Sequence, residues 1–405
     1  MPPVSDPAAS GNLRPILRSP SLLTREVLAG VLTALALIPE VISFSVIAGV
    51  DPQVSLIASV VLCLAMSVFG GRPAMVTAAA GSVALVIGPM VHQHGVGYIL
   101  PAVILAGIIQ ILFGLCGMAR LMRFIPPAVM TGFVNALGIL IFFAQVPHFW
   151  SRQPLIVGLF VLTLLIVLWA PRVIKAIPAP LIAIVALTLY TATTGQQLPT
   201  VGDEGSMSGG LPGFTALTVP LNLTTLQIIW PCALSIAFVG LMESLLTAKL
   251  VDDLTHTPSN KSRESAGLGI ANILAGCAMI GQTIVNVEMG RARSRLSTVI
   301  AGLVLLLLVT ALSQVMAKIP MAVLAGVMVI VAVKTFSWHS IRPGELARNP
   351  WPETLVMLVT VAATVGTSNL AIGVLAGIVA MAIIPRRLRA KAQATSETAS
   401  PDPEK

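Results

Sequence analysis

The sequence predicts an all-α polytopic membrane protein, with about fourteen transmembrane segments arranged as a seven-plus-seven inverted repeat. Three observations lead there. The chain of 405 residues is 56% hydrophobic and only 10% charged, with mean hydropathy +0.93; a soluble fold carries about 25% charged residues to cover its surface. Apolar windows of bilayer length recur along the whole chain. The basic residues gather on one side of those windows.

The Pro-rich opening, MPPVSDPAASGNLRPILRSPSLLTRE, has no short apolar core ahead of a small-residue cleavage site, so it is not a signal peptide. Residues 1–25 are expected as a cytoplasmic segment. The first repeat, 26–195, holds segments at 26–46, 53–69, 74–91, 98–119, 126–146, 154–171 and 174–194. The polar connection 196–225 carries Asp203 and Glu204 and no Lys or Arg, and is expected outside. The second repeat, 226–386, holds segments at 226–251, 262–276, 278–290, 296–316, 319–336, 351–368 and 369–385. The tight junctions at 276–278 and 368–369 leave about thirteen segments open as the count. The tail 387–405 is polar and expected as disordered cytoplasmic chain.

With both termini cytoplasmic and the protein multi-pass in the inner (plasma) membrane, all of the 24 Lys and Arg except Arg152 and Lys318 fall inside. A miscounted segment would mix the two sets, so the skew supports an even number. The net charge of +8 is therefore a topology signal and not a nucleic-acid face. Seven segments on each side of the outer connection make the halves run in opposite directions, as in secondary transporters. Cys63, Cys116, Cys232 and Cys277 sit in apolar runs without metal spacing and are expected as buried, inert thiols. No GxSxG, Walker A or HExxH motif is present, so no enzyme is expected. His92 and His94 have the spacing for a metal, but a plain loop is the favoured reading; no cofactor is expected beyond H⁺ or Na⁺.

Segments three and ten break the helical pattern. The third, GGRPAMVTAAAGSVALVIGPMV, has a small, partly polar centre at Thr77–Ser82; the tenth, AGCAMIGQTIVNVEMGRARSR, is short and holds Gly276, Gly281 and Gln282 at membrane depth. They occupy equivalent places in the repeat. A half-helix that starts in mid-membrane aims free N–H groups and a positive dipole end into a cavity, and two facing ends attract an anion without Lys or Arg. For either segment alone, close packing of small residues explains the composition as well; the symmetric pair favours the cavity. Carboxylates lie within the apolar runs at Glu40 and Glu243, in equivalent segments one and eight, while Glu288 closes segment ten. Such groups face polar cavities and bind protons or cations, although a protonated Glu hydrogen-bonded within the bundle is the competing reading. Glu243 and Thr247 share a helix face, which offers oxygen ligands to H⁺ or Na⁺. Pro39 and Pro231 are expected to loosen their helices nearby. Asp252 and Asp253 fall at the inner surface, solvated or salt-bridged.

These stretches resemble the sulfate permease (SulP) family of anion transporters, related to the solute carrier 26 proteins, over about residues 23–389. ALIPEVISFSVIAGVDP resembles the first-segment motif, and GGRPAMVTAAAGSVALV the third. GLMESLLTAKLVDDLTHTPSNKSRESAGLGIANILAG is similar to the signature of segments eight and nine, and GCAMIGQTIVNVEMGRARSRLS to segment ten. The resemblance implies a core of segments 1–4 and 8–11 moving against a gate of segments 5–7 and 12–14. It places the anion among Glu40 and Phe44 of segment one, Ala78, Ala79, Ala80, Gly81 and Ser82 of segment three, and Ala278, Met279, Ile280, Gly281 and Gln282 of segment ten. It gives Glu243 and Thr247 the coupling ion. Sulfate, bicarbonate or chloride is the implied substrate, with H⁺ placed ahead of Na⁺ because Ile280 stands where a hydroxyl would bind Na⁺. Ala78-Ala79 replaces the Gly-Pro often seen in segment three, and Gln282 stands where many relatives have Arg. The chain stops after PRRLRAKAQATSETASPDPEK, so no STAS domain is expected. Dimers are common in the family, which makes a homodimer an expected assembly. A nucleobase–proton symporter on the same fold and an anion channel stand as the alternatives.

The topology has a direct check. On a background freed of cysteine, Ser206→Cys should be labelled by an impermeant maleimide on intact cells, and His256→Cys only after permeabilisation.

Overall fold

The computed structural model describes residues 19–117, 125–174, 177–207, 218–276, 281–283, 292, 294–344 and 350–384. Among them lie thirteen α-helices and one two-stranded sheet. The first half contains α1 (Pro20–Ala48), α2 (Pro52–Phe69), β1 (Val76–Ala78), α3 (Gly81–His94), α4 (Ile99–Leu115), α5 (Pro127–Phe149), α6 (Pro154–Val173) and α7 (Ala179–Thr194). The second contains α8 (Leu223–Thr255), α9 (Lys261–Ala275), β2 (Gly281–Thr283), α10 (Arg295–Met316), α11 (Met321–Thr335), α12 (Trp351–Thr367) and α13 (Leu370–Ile383). Among the described residues, seven helices are long and apolar enough to cross a membrane. Every predicted segment except the tenth holds a helix among the described residues; of the tenth, only residues 281–283 are described, and they form β2. The last pair separates cleanly, because Ser368 takes a left-handed φ of 51° and Asn369 caps α13 through the amides of Ala371 and Ile372.

Local chemistry explains the boundaries. Proline, which lacks an N–H that the first turn would leave unused, opens α1, α2 and α6. Side-chain caps from Asn222, Asn260 and Ser294 open α8, α9 and α10. Gly49, at φ 70°, ends α1. Pro39 and Pro231 do not interrupt α1 or α8, which continue through them over 29 and 33 residues. Each proline forfeits one backbone hydrogen bond, and the turns on either side keep the helix intact.

The chain forms two compact units, one of residues 1–120 and 146–328, the other of residues 121–145 and 329–405. By this division α6 and α7 fall in the larger unit and α12 and α13 in the smaller. The connection after α7 shows why: the Val201 N–H donates to the Ile319 carbonyl (2.9 Å) and the Met321 N–H to that of Pro199 (2.9 Å). The Ser206 N–H donates to the Asp51 carboxylate (3.1 Å). Connections expected outside thus bond to one another. Those expected inside do likewise. The Arg72 guanidinium pairs with Asp252 (3.1 Å), and the Ser294 hydroxyl donates to Glu26 (2.7 Å).

The α4–α9 contact in the larger unit depends on glycine. A Cβ on Gly107 would lie 2.6 Å from the Gly269 carbonyl oxygen, and one on Gly114 2.7 Å from the Ala266 amide. The close approach lets Asn272 donate to Gln110 and the Ser265 hydroxyl donate to the Gln110 carbonyl (2.8 Å). Small residues pack helices in lipid in this way because no hydrophobic force separates lipid tails from side chains. In the smaller unit, α12 and α13 interlock where Gly373 meets Thr364 and Gly377 meets Thr360. There Asn135 donates to Ser340 (2.9 Å) and accepts from the Ser337 N–H (2.8 Å). Gly107→Val should destabilise by about 1–3 kcal/mol through overpacking, read as a lower unfolding midpoint of the detergent-purified protein.

Candidate functional site

Segments three and ten meet. β1 and β2 pair antiparallel, with Val76 opposite Thr283, Thr77 opposite Gln282 and Ala78 opposite Gly281. Extended backbone at membrane depth is tolerable only where its polar groups find partners. β2 supplies one set. Side chains supply others: Cys63 donates to the Thr77 carbonyl (3.0 Å), Ser59 accepts from the Ala79 N–H (3.1 Å), and Thr298 donates to the Met75 carbonyl (3.3 Å). Val76, Thr77 and Ala78 are all buried.

The extended chain then turns into helix. Ala80 is still extended (φ −120°, ψ 147°), and no side chain caps α3. The first bond inside the helix runs from the Ala84 N–H to the Ala80 carbonyl (3.0 Å). The amides of Gly81, Ser82 and Val83 therefore have no partner within the helix and form its positive end. This is the half-helix start expected of segment three, built without Gly-Pro.

Glu243 stands at that start. The Ser82 hydroxyl donates to the Glu243 carboxylate; Ser82 is buried and Glu243 half-buried. A residue expected to bind substrate and one expected to bind the coupling ion are thus in direct contact. Thr247, one turn further along α8, is half-buried. Phe44 is buried and Glu40 half-buried on α1. A Cβ on Gly88 would lie 3.0 Å from the Ile47 carbonyl, and one on Gly49 3.4 Å from Val91, so α1 and α3 run in parallel there. Counting back along both at about 1.5 Å per residue sets Glu40 level with Gly81. Of the segment-ten residues, Gly281 and Gln282 are placed by their backbone in β2, whereas Ala278, Met279 and Ile280 lie outside the described residues, as do Cys277 and Glu288.

The foot of β1 is held from below. Glu264 of α9, fully buried, accepts from the amides of Gly71 (2.7 Å) and Arg72 (3.1 Å) and from the Ser244 hydroxyl (2.8 Å). Arg72 reaches the end of α8, where it donates to the Thr257 carbonyl (2.8 Å), to Thr255 and to Asp252. Asp252 is therefore salt-bridged. Sequence reasoning missed Ser59, Arg72 and Glu264 as supports. A signal for the first lay in Ser55, Ser59 and Cys63, spaced one helical turn apart in an otherwise apolar run. Cys63 is buried as expected but is a hydrogen-bond donor to the site. Cys116 corrects the expectation of burial, since it is exposed just past the end of α4.

Other candidates do not converge. His92 and His94 lie exposed in the last turn of α3, and among the described residues no cluster of His, Cys, Asp or Glu could hold a metal. A cavity of about 670 Å³ lies near His148, Gln153, Asp203 and Pro320, away from β1 and the start of α3.

Comparison with known proteins gives concordant matches. The model of the sulfate permease family matches residues 23–153 and 148–343. A Bacillus subtilis (strain 168) protein named "Putative sulfate transporter YbaR" is 48% identical over 372 residues, which cover 89% of this chain and 76% of that protein. The bicarbonate transporter BicA of Synechocystis is 27% identical over 318 residues, 69% of this chain and 55% of that protein. Among solved structures, the transmembrane domain of a cyanobacterium bicarbonate transporter BicA superposes with a TM-score of 0.77 at 24% identity, covering 88% of this chain and 97% of that one. The murine Slc26a9 anion transporter in the inward-facing state gives 0.79 at 16% identity, covering 93% and 70%.

Ser59→Ala tests the accounting around β1. It strands the Ala79 N–H in a dry environment and should cost about 1–3 kcal/mol, seen as a lower unfolding midpoint of the purified protein.

Proposed function

We propose that this chain, which belongs to the sulfate permease family, is a secondary active transporter of a small inorganic anion that works by alternating access. The family is one of anion transporters and not of enzymes. Sulfate, bicarbonate and chloride are the candidate substrates, and the seven-plus-seven inverted repeat in the plasma membrane, with cytoplasmic termini, is the proposed frame. One observation carries the reading: the uncapped start of α3, braced by β1 and β2, has Glu243 hydrogen-bonded to its Ser82. Main-chain amides and a helix dipole suit an anion without a fixed cation.

Glu243 supplies the coupling. Ionised, it accepts from Ser82 and places a negative charge beside the positive end of α3, where it repels an incoming anion. Protonation removes that charge, so proton and anion bind better together than apart. Na⁺ held by the Glu243 carboxylate and Thr247 would neutralise the same charge and is the second choice.

The test is uptake of radiolabelled sulfate and bicarbonate into proteoliposomes under separate H⁺ and Na⁺ gradients. The wild type should accumulate one anion when the proton gradient points inward. Glu243→Gln should still move that anion down its own gradient but ignore the proton gradient. An unaltered gradient response in Glu243→Gln would remove the coupling role.

A further inference from the structure

The face of α2 that meets β1 carries Ser55, Ser59 and Cys63 at successive turns. Cys63 donates to the Thr77 carbonyl and Ser59 accepts from the Ala79 N–H. Four residues of helix, about 6 Å, therefore keep pace with two residues of extended chain, about 6.6 Å. The chain remains extended through Ala80. The same step again sets Ser55 level with Gly81, the first residue of α3. Ser55 is 0% exposed, and its hydroxyl has no hydrogen-bond partner. Its two neighbours on this face both bond to the extended chain, Cys63 to Thr77 and Ser59 to Ala79, and Ser59 also donates to the Ser55 carbonyl (2.8 Å).

A buried, unused hydroxyl is unfavourable for the empty protein, and here it lies level with helix amides that also lack intrahelical partners. We propose that Ser55 is a further anion-binding residue of this site, whose hydroxyl donates to an oxygen of a bound oxyanion, sulfate or bicarbonate, alongside the first amides of α3. The proposal rests on the anion-transport reading above. The competing account is that Ser55 is merely a small residue allowing α2 to approach β1.

Ser55→Ala separates the two. Reconstituted full-length protein would be assayed for uptake of radiolabelled sulfate, or of bicarbonate if the wild type moves that anion instead. KM should rise by about tenfold or more, the scale of a hydrogen bond to a charged group, while the unfolding midpoint without anion stays level or rises. The anion should also protect the variant from thermal unfolding less than it protects the wild type. Thr188→Val, which removes another buried hydroxyl without a partner, on α7, should leave KM unchanged. Wild-type uptake with an unchanged KM in Ser55→Ala overturns the Ser55 assignment alone. A raised KM with a lowered midpoint assigns Ser55 to packing and overturns it too. No wild-type uptake of either anion overturns the transport reading, and this proposal with it.

Discussion

Extended backbone inside a membrane needs a partner for every N–H and C=O, and the rest of this architecture follows from that need. β1 could not lie at depth on its own. It is tolerated because β2 pairs with one side and Ser59, Cys63 and Thr298 bond to the Ala79 N–H and the Thr77 and Met75 carbonyls. Directly after it come the first amides of α3, which have no partner within the helix, with Glu243 bonded to Ser82 among them. Thus the same feature that costs the fold regular helix creates an electropositive spot without a cationic side chain.

The supports at the inner end show how position is transmitted to that spot. Glu264 holds the amides of Gly71 and Arg72 from α9, and Arg72 grips the end of α8 through Asp252 and Thr257. Glu264 also takes the hydroxyl of Ser244, the residue after Glu243. The strand that leads into α3 and the helix that bears Glu243 are therefore fixed to one anchor. A change in the Arg72–Glu264 cluster would shift both partners of the Ser82–Glu243 contact together.

Much of this was legible in the sequence. Apolar windows found the thirteen helices of the described residues because bilayer thickness imposes their length, and segments three and ten stood out because glycine and polar residues are out of place at depth. Glu243 was visible for the same reason. Less legible were residues whose role depends on what approaches them. Glu26 and Glu264 lie at helix ends among charged residues, where local pattern suggests solvent, yet both are fully buried. Cys116 was misjudged in the opposite sense. An apolar neighbourhood implies burial in water-soluble proteins, but in lipid the outward faces are apolar as well. The division into two units also escaped the sequence, because it turns on hydrogen bonds between connections more than a hundred residues apart, such as Val201 to Ile319.

The strand pairing also bears on biosynthesis. Ala78 waits for Gly281, which lies 203 residues further along the chain. At about 5–20 residues per second, the ribosome needs about 10–40 s to supply it. During that interval the residues of α3 to α9 are made while one edge of β1 has no strand beside it. The first half is therefore an incomplete folding unit, and a nascent chain halted before β2 would carry an open edge, the feature that invites mispairing.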